Sequence, residues 1–171
     1  MTAIDDLQRR HFLVRVGLEP PTLCIAWAID RLSRNEDEGD LNVALLAGAE
    51  PHDEVEPLVE NILESHGGAA GGDDQLAAGK YVVELRSRYQ DGKETYATLD
   101  AKLTRLYVSL KAPSWLTMLT RNCEYSIDVD SFRKPFEAEF AYISNLWAAA
   151  RSTDEFLRQY DRNKSNKHDV C

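Results

Sequence analysis

Apolar residues recur along this chain at helical spacing, and period-two alternation is hard to find. The clearest case follows Pro51. Val55, Leu58, Val59, Ile62 and Leu63 make an i, i+3, i+4, i+7, i+8 stripe, while Glu56, Glu60 and Glu64 repeat every four residues on another face. Asp53, with Glu56 three residues later, predicts a capping box at the start of this helix. Pro57 then falls in the first turn, where the backbone amide is unpaired anyway, and His66-Gly67-Gly68 predicts the stop.

The same logic extends along the chain. Pro20-Pro21-Thr22 opens a helix with Ile25, Ala28, Ile29 and Leu32 on one side and Leu23, Ala26 and Trp27 nearby, the spread of a largely buried helix. Asp40 caps a short helix carrying Leu41, Ala44, Leu45 and Leu46 and stopped at Gly48. Ala78, Tyr81, Val82, Leu85 and Tyr89 line a face ending at Asp91-Gly92. Tyr96, Leu99, Leu103, Leu106, Tyr107 and Leu110 line the next, ended before Pro113. Trp115, Leu116 and Leu119 begin a shorter piece. Phe132, Phe136, Phe140, Ile143 and Trp147 form an aromatic core stripe, and Ser152 with Glu155 predicts a capping box before Phe156, Leu157 and Tyr160. Tyr125–Val129 is the one plausible strand, and a loop is the preferred reading of it. The pattern therefore predicts an all-α fold, a single-domain irregular bundle or stack of roughly eight helices over residues 1–160. A flexible Gly-rich linker at 67–74 separates two sub-bundles, and a polar tail at 161–171 is expected to be disordered.

Size agrees with that picture: 171 residues fit one domain with one proper core. The N-terminal MTAIDDLQRR lacks the apolar region of a signal peptide, and no run approaches the ~20 apolar residues of a membrane span. Cys24, Cys123 and Cys171 are odd in number and widely spaced, as expected in a reducing compartment. These features predict a cytoplasmic protein without membrane attachment. Nothing in the pattern specifies an oligomeric state.

Charge changes the picture more. The net charge of −9 is concentrated in one segment. Residues 1–34 carry five bases and four acids, residues 35–79 carry twelve acids and no Lys or Arg, and residues 80–171 carry fifteen bases and thirteen acids. A nucleic-acid binder needs clustered cations to displace phosphate counterions, so that role is excluded.

Motifs for catalysis are lacking: the chain has no P-loop, dinucleotide fingerprint, nucleophile elbow or HExxH. No catalytic residue and no cofactor is assigned. GGAAGG lacks the GK[ST] ending of a phosphate cradle and reads as a linker. His52-Asp53, with His11 upstream and His66 downstream, resembles the doublet of HD metal phosphohydrolases, which gives an alternative reading as a metal site with Asp30 or Glu56 as further ligands. The doublet stands at a helix start, whereas that family carries it within a helix, and a capping Asp53 beside a surface His52 accounts for it as well. Cys24 and Cys123 read as small core residues, and Asp30 as an acid paired to Arg31 or Arg34 or lying at the edge of a face. Glu137 and Glu139 fall on opposite sides of one helix and cannot cooperate.

A helix surface ordinarily mixes signs, because Glu–Lys pairs at i, i+4 stabilise by ~0.2–0.5 kcal/mol each. The segment from Glu36 to Glu64 forgoes all of them. Such a field attracts a cationic partner, and the partner-binding set is Glu36, Asp37, Glu38, Asp40, Asp53, Glu54, Glu56, Glu60 and Glu64. The stretch from Trp27 to Leu63, in its pattern of Trp27, Leu32, Asp40, Leu41, Leu45, Ala47, Gly48, Val55 and Leu58, resembles small bacterial immunity proteins of toxin systems. That resemblance implies a stoichiometric, non-catalytic inhibitor that covers the active site of a cognate toxin domain, often a basic nuclease, or a surface beside it. Aromatic side chains at the edge of the acidic patch are expected to serve as its anchors.

Overall fold

The computed structural model describes residues 2–67 and 72–168 and is all-α, with no strand among them. Half of the predicted Gly-rich linker, residues 68–71, lies outside the described residues. The chain divides into two compact units, Met1–Asp74 and Gln75–Cys171, with the division at the C-terminal edge of that linker.

In the first unit α1 (Ala3–Arg15), α2 (Thr22–Ser33), α3 (Leu41–Ala47) and α4 (Glu56–Ser65) pack in a closed ring, α1 on α2, α2 on α3, α3 on α4 and α4 back on α1. They enclose Leu7, Cys24, Ile25, Trp27, Ala28, Val43, Leu46, Val55, Val59, Ile62 and Leu63. Aliphatic side chains dominate, and Trp27 is tied at its polar end, its Nε1 donating to Ala3 O at 3.1 Å. Helix α1 is not among the predicted elements. Its apolar positions are few, yet Thr2 and Asp5 form a capping box and Leu7, Phe12 and Leu13 are buried.

Two faces differ from expectation. Ile29 is 51% exposed, and on α3 the buried side chains are Val43 and Leu46, whereas Leu41 and Leu45 stand 69% and 51% exposed. All residues of this seven-residue helix but Asn42 are apolar, so its sequence does not choose the buried side; packing between α2 and α4 chooses it. The capping box predicted at Asp53 does not form. Val55 is the N-cap of α4 and makes no side-chain cap. Asp53 instead closes the preceding turn, its Oδ2 accepting from Glu50 N at 2.8 Å while its N–H donates to Glu50 O at 3.0 Å. Pro57 does lie in the first turn of α4.

The second unit contains α5 (Asp74–Gln90, all but its first residue), α6 (Tyr96–Ser109), α7 (Ser114–Asp128), a short 3-10 helix (Asp130–Phe132), α8 (Arg133–Ala149) and α9 (Thr153–His168). The piece predicted to begin at Trp115 runs for fifteen residues, and Tyr125–Asp128 is its last turn rather than a strand or loop. The buried face passes through Asn122 and Ser126, whose polarity hides the helical stripe; Ser126 Oγ donates to Asn122 O at 2.6 Å. Helix α9 continues past residue 160, where the tail is predicted, to His168, and residues 169–171 lie outside the described residues.

Aromatic packing organises this unit. Trp147 stacks on Phe156 at 3.8 Å between centroids and meets Trp115 edge-on at 5.1 Å. Its other face covers Gly79 of α5, where a Cβ would come within 2.1 Å of the indole. Phe136 and Phe140 fill the core with Leu99, Leu103 and Leu119. Of the predicted aromatic stripe, Phe136, Phe140, Ile143 and Trp147 are buried, and Phe132 is half-buried against Tyr125.

Candidate functional site

Two segments carry the predicted acidic site, and local backbone chemistry positions both. Asn35 ends α2 in the left-handed conformation, φ 55°, and Glu36 N–H donates to Arg31 O at 3.0 Å, which satisfies the last carbonyls of the helix. A tight turn follows. Asp40 N–H donates to Asp37 O at 2.9 Å, with Glu38 and Gly39 at φ 54° and 76°. Positive φ at both central positions suits Asn-Gly, and a glutamate held there costs about 1–2 kcal/mol. The strained residue is an exposed acid.

Asp40 then caps α3, its Oδ1 accepting from Asn42 N at 2.8 Å. Its Oδ2 accepts from Ser65 Oγ at 3.2 Å and lies 3.5 Å from His66 Nε2 at the C-terminal end of α4. The loop is thereby pinned to the end of the helix that carries Glu56, Glu60 and Glu64, so the two acidic segments meet. Glu56, Glu60 and Glu64 are exposed along a helix of roughly 15 Å, and Glu54 is exposed just ahead of it. Asp40 and Asp53 therefore serve the backbone, and Glu36, Asp37, Glu38, Glu54, Glu56, Glu60 and Glu64 are left to act outward.

Cations of the same unit do not neutralise them. Residues 1–74 carry five Arg and no Lys against sixteen acids, a formal charge of −11. Arg9 and Arg10 lie 3.3 and 2.8 Å from Asp6, Arg34 lies 2.9 Å from Asp30, and Arg15 lies 2.7 Å from Asp74. Only Arg31 turns to the outward set, at 3.7 Å from Glu36, while its guanidinium also covers the ring of Trp27. Among the described residues no Lys or Arg pairs with Asp37, Glu38, Glu54, Glu56, Glu60 or Glu64. The aromatic anchors expected at the edge of the patch are not found. Phe12 and Trp27 of this unit are buried, and its exposed large apolar side chains are Ile29, Leu41 and Leu45.

The three histidines of the first unit diverge in role. His52 is exposed, its Nε2 3.8 Å from Asp53, and among the described residues no third ligand-bearing side chain joins them. His66 sits by Asp40. His11, on α1, is 9% exposed and turns Nε2 towards α4, 3.6 Å from Glu56 Oε1. Burial lowers its pKa below the usual imidazole value, and the charges of Glu56 and Glu60 oppose that shift only in part. Its ligand atom and one from each of Glu56 and Glu60 lie within 4.8 Å of one another. The sequence placed His11 and Glu56 together only in the alternative metal site at His52-Asp53, and Glu60 only in the acidic set.

In the second unit a recess of about 250 Å³ is lined by Arg86, Tyr89, Gln90, Glu137 and Phe140. Tyr89 and Tyr96 hydroxyls both donate to Glu137 Oε1, at 3.0 and 3.2 Å, and burial with these partners pushes the Tyr89 phenol above its usual pKa. The network braces α5, α6 and α8 and leaves no activated group. Cys24 and Cys123 are fully buried, and burial pushes both thiols up to about 12, so neither is a nucleophile.

No family model, curated protein or solved structure matches this chain. Among the described residues no helix is long and apolar enough to cross a membrane. The chain itself defines a class: an all-α protein of two helical units, one of which leaves its carboxylates open.

Proposed function

We propose that the protein is a non-catalytic binding protein whose first unit docks on a basic protein surface. In the more specific form of this reading it is a cytoplasmic immunity protein that neutralises a cognate basic, nuclease-type toxin domain by stoichiometric binding. The observation that carries the reading is the unbalanced charge of the first unit: its arginines are engaged elsewhere while Glu38, Glu54, Glu60 and Glu64 have no cationic partner among the described residues. A ridge of carboxylates imitates the phosphates a nuclease binds and pairs with the cations around its cleft. Leu41 and Leu45, exposed on the helix that follows the acidic loop, supply apolar contact that loses water on docking. The field steers encounter and raises association rates by ~10–10³-fold at low salt.

The test is co-expression with the product of the neighbouring gene, followed by stopped-flow association of the purified pair at several salt concentrations. The triple variant Glu38→Lys, Glu54→Lys, Glu64→Lys is expected to associate at least ~10-fold more slowly, and the wild-type rate to fall steeply with salt. A rate indifferent to both salt and charge reversal removes the docking reading. A basic partner without toxicity keeps docking and removes immunity.

A further inference from the structure

The acids of α4 differ in one respect from those of the α2–α3 loop: two of them face a buried imidazole. His11 Nε2 is shut off from solvent and has no hydrogen-bond partner, and Glu56 Oε1 stands 3.6 Å away, beyond hydrogen-bond reach. An unsatisfied buried nitrogen is costly unless something fills the gap. Glu60 follows Glu56 by one helical turn and brings a second carboxylate to the same point, and their mutual repulsion is unrelieved by any Lys or Arg among the described residues.

We propose that His11, Glu56 and Glu60 form a mononuclear site for a divalent transition-metal ion of the Zn²⁺ class, which clasps α1 to α4. The His11–Glu56 spacing suits it: two metal bonds of ~2.1 Å span 3.6 Å at an angle of about 120°, near the tetrahedral value, and rotation of the exposed Glu60 side chain brings its carboxylate within the ~4.2 Å that two such bonds can span. One imidazole and two carboxylates match the borderline character of Zn²⁺, where Mg²⁺ and Ca²⁺ prefer all-oxygen sets. Three protein donors leave a four-coordinate ion one position for water. This site is distinct from the exposed His52-Asp53 pair, and it does not rest on the docking reading.

Titration of the full chain with ZnCl₂ in an isothermal calorimeter, with excess MgCl₂ present, tests it. One saturable equivalent is expected, together with a rise in thermal midpoint. Glu56→Gln with Glu60→Gln should weaken binding by tenfold or more, whereas His52→Gln should leave it unchanged. Both glutamates are exposed, so this variant keeps its fold even if His11→Gln does not. Undiminished binding in the double variant overturns the site. So does the absence of a saturable equivalent, or uptake of several equivalents that MgCl₂ displaces, since that is ordinary condensation of cations on an acidic surface.

Discussion

The two units share a fold class and treat charge in opposite ways. Residues 75–171 carry fifteen bases and thirteen acids, and four of those acids, Glu84, Asp91, Glu94 and Asp130, stand beside a Lys or Arg. Glu94 is buried against Lys102, Arg88 and Thr98; burial alone pushes its carboxyl up, yet the bonds from Lys102 and Thr98 and the charges of Lys102 and Arg88 outweigh it and hold the pKa below the usual range. Glu84 meets Arg88, Asp91 meets Lys93 and Asp130 meets Arg133. The first unit has the same opportunity at every i, i+4 step of α4 and takes none of it. A large excess of acids over bases is thus a property of one unit and not a habit of the whole chain. The cores differ as well, aliphatic in the first unit and interlocked by aromatic rings in the second.

That contrast can be broken most forcibly at Gly79. Gly79→Ala drives a methyl into Trp147, which Phe156 and Trp115 hold from the other side, so a loss of roughly 3 kcal/mol is expected in urea unfolding, with loss of near-UV tryptophan signal. An unchanged midpoint would mean that the indole does not lie on α5. Next in size, Lys102→Met leaves Glu94 without its nearest cation and should cost about 2 kcal/mol, recovered in large part by adding Glu94→Gln. The triple reversal at Glu38, Glu54 and Glu64 should by contrast shift stability by no more than about 0.5 kcal/mol, because those carboxylates support nothing inside the unit. A large loss there would show that the open acids are structural.

Glu38→Asn sharpens the comparison at a single residue. Asn tolerates the left-handed conformation better, so stability should rise by about 0.5–1 kcal/mol while the field loses one charge. The smallest effect concerns pH. His11 has a lowered pKa in the folded chain, so below the unfolded value of 6.5 the unfolded state binds the extra proton. Its contribution to stability is therefore full above that value and is lost as pH falls through 6.5 towards the folded pKa. Nuclear magnetic resonance of the imidazole Cε1–H should show His11 titrating below 6.5, and a midpoint at or above that value would contradict the burial.

Legibility followed the strength of each periodic signal. The stripe at Val55, Val59, Ile62 and Leu63 is buried as its spacing predicts, and so is the aromatic run from Phe136 to Trp147. Helix α1 was hidden because its buried set includes His11 among few apolar positions, and α7 because Asn122 and Ser126 interrupt the stripe. The acidic residues of the docking surface were visible as a run without Lys or Arg. Which of them remain open was not, since Asp40 and Asp53 accept hydrogen bonds from backbone amides.

Composition and spacing alone set the helices, their apolar faces where these exceed two turns, and the segregation of charge into residues 35–79. Such properties are local, carried by neighbours three or four positions apart. Packing decided the rest: which side of α3 is buried, where Trp147 finds room over Gly79, and that His11 of α1 meets Glu56 and Glu60 of α4. Those outcomes join residues tens of positions apart through the closure of the helices on one another, and no local period records that closure.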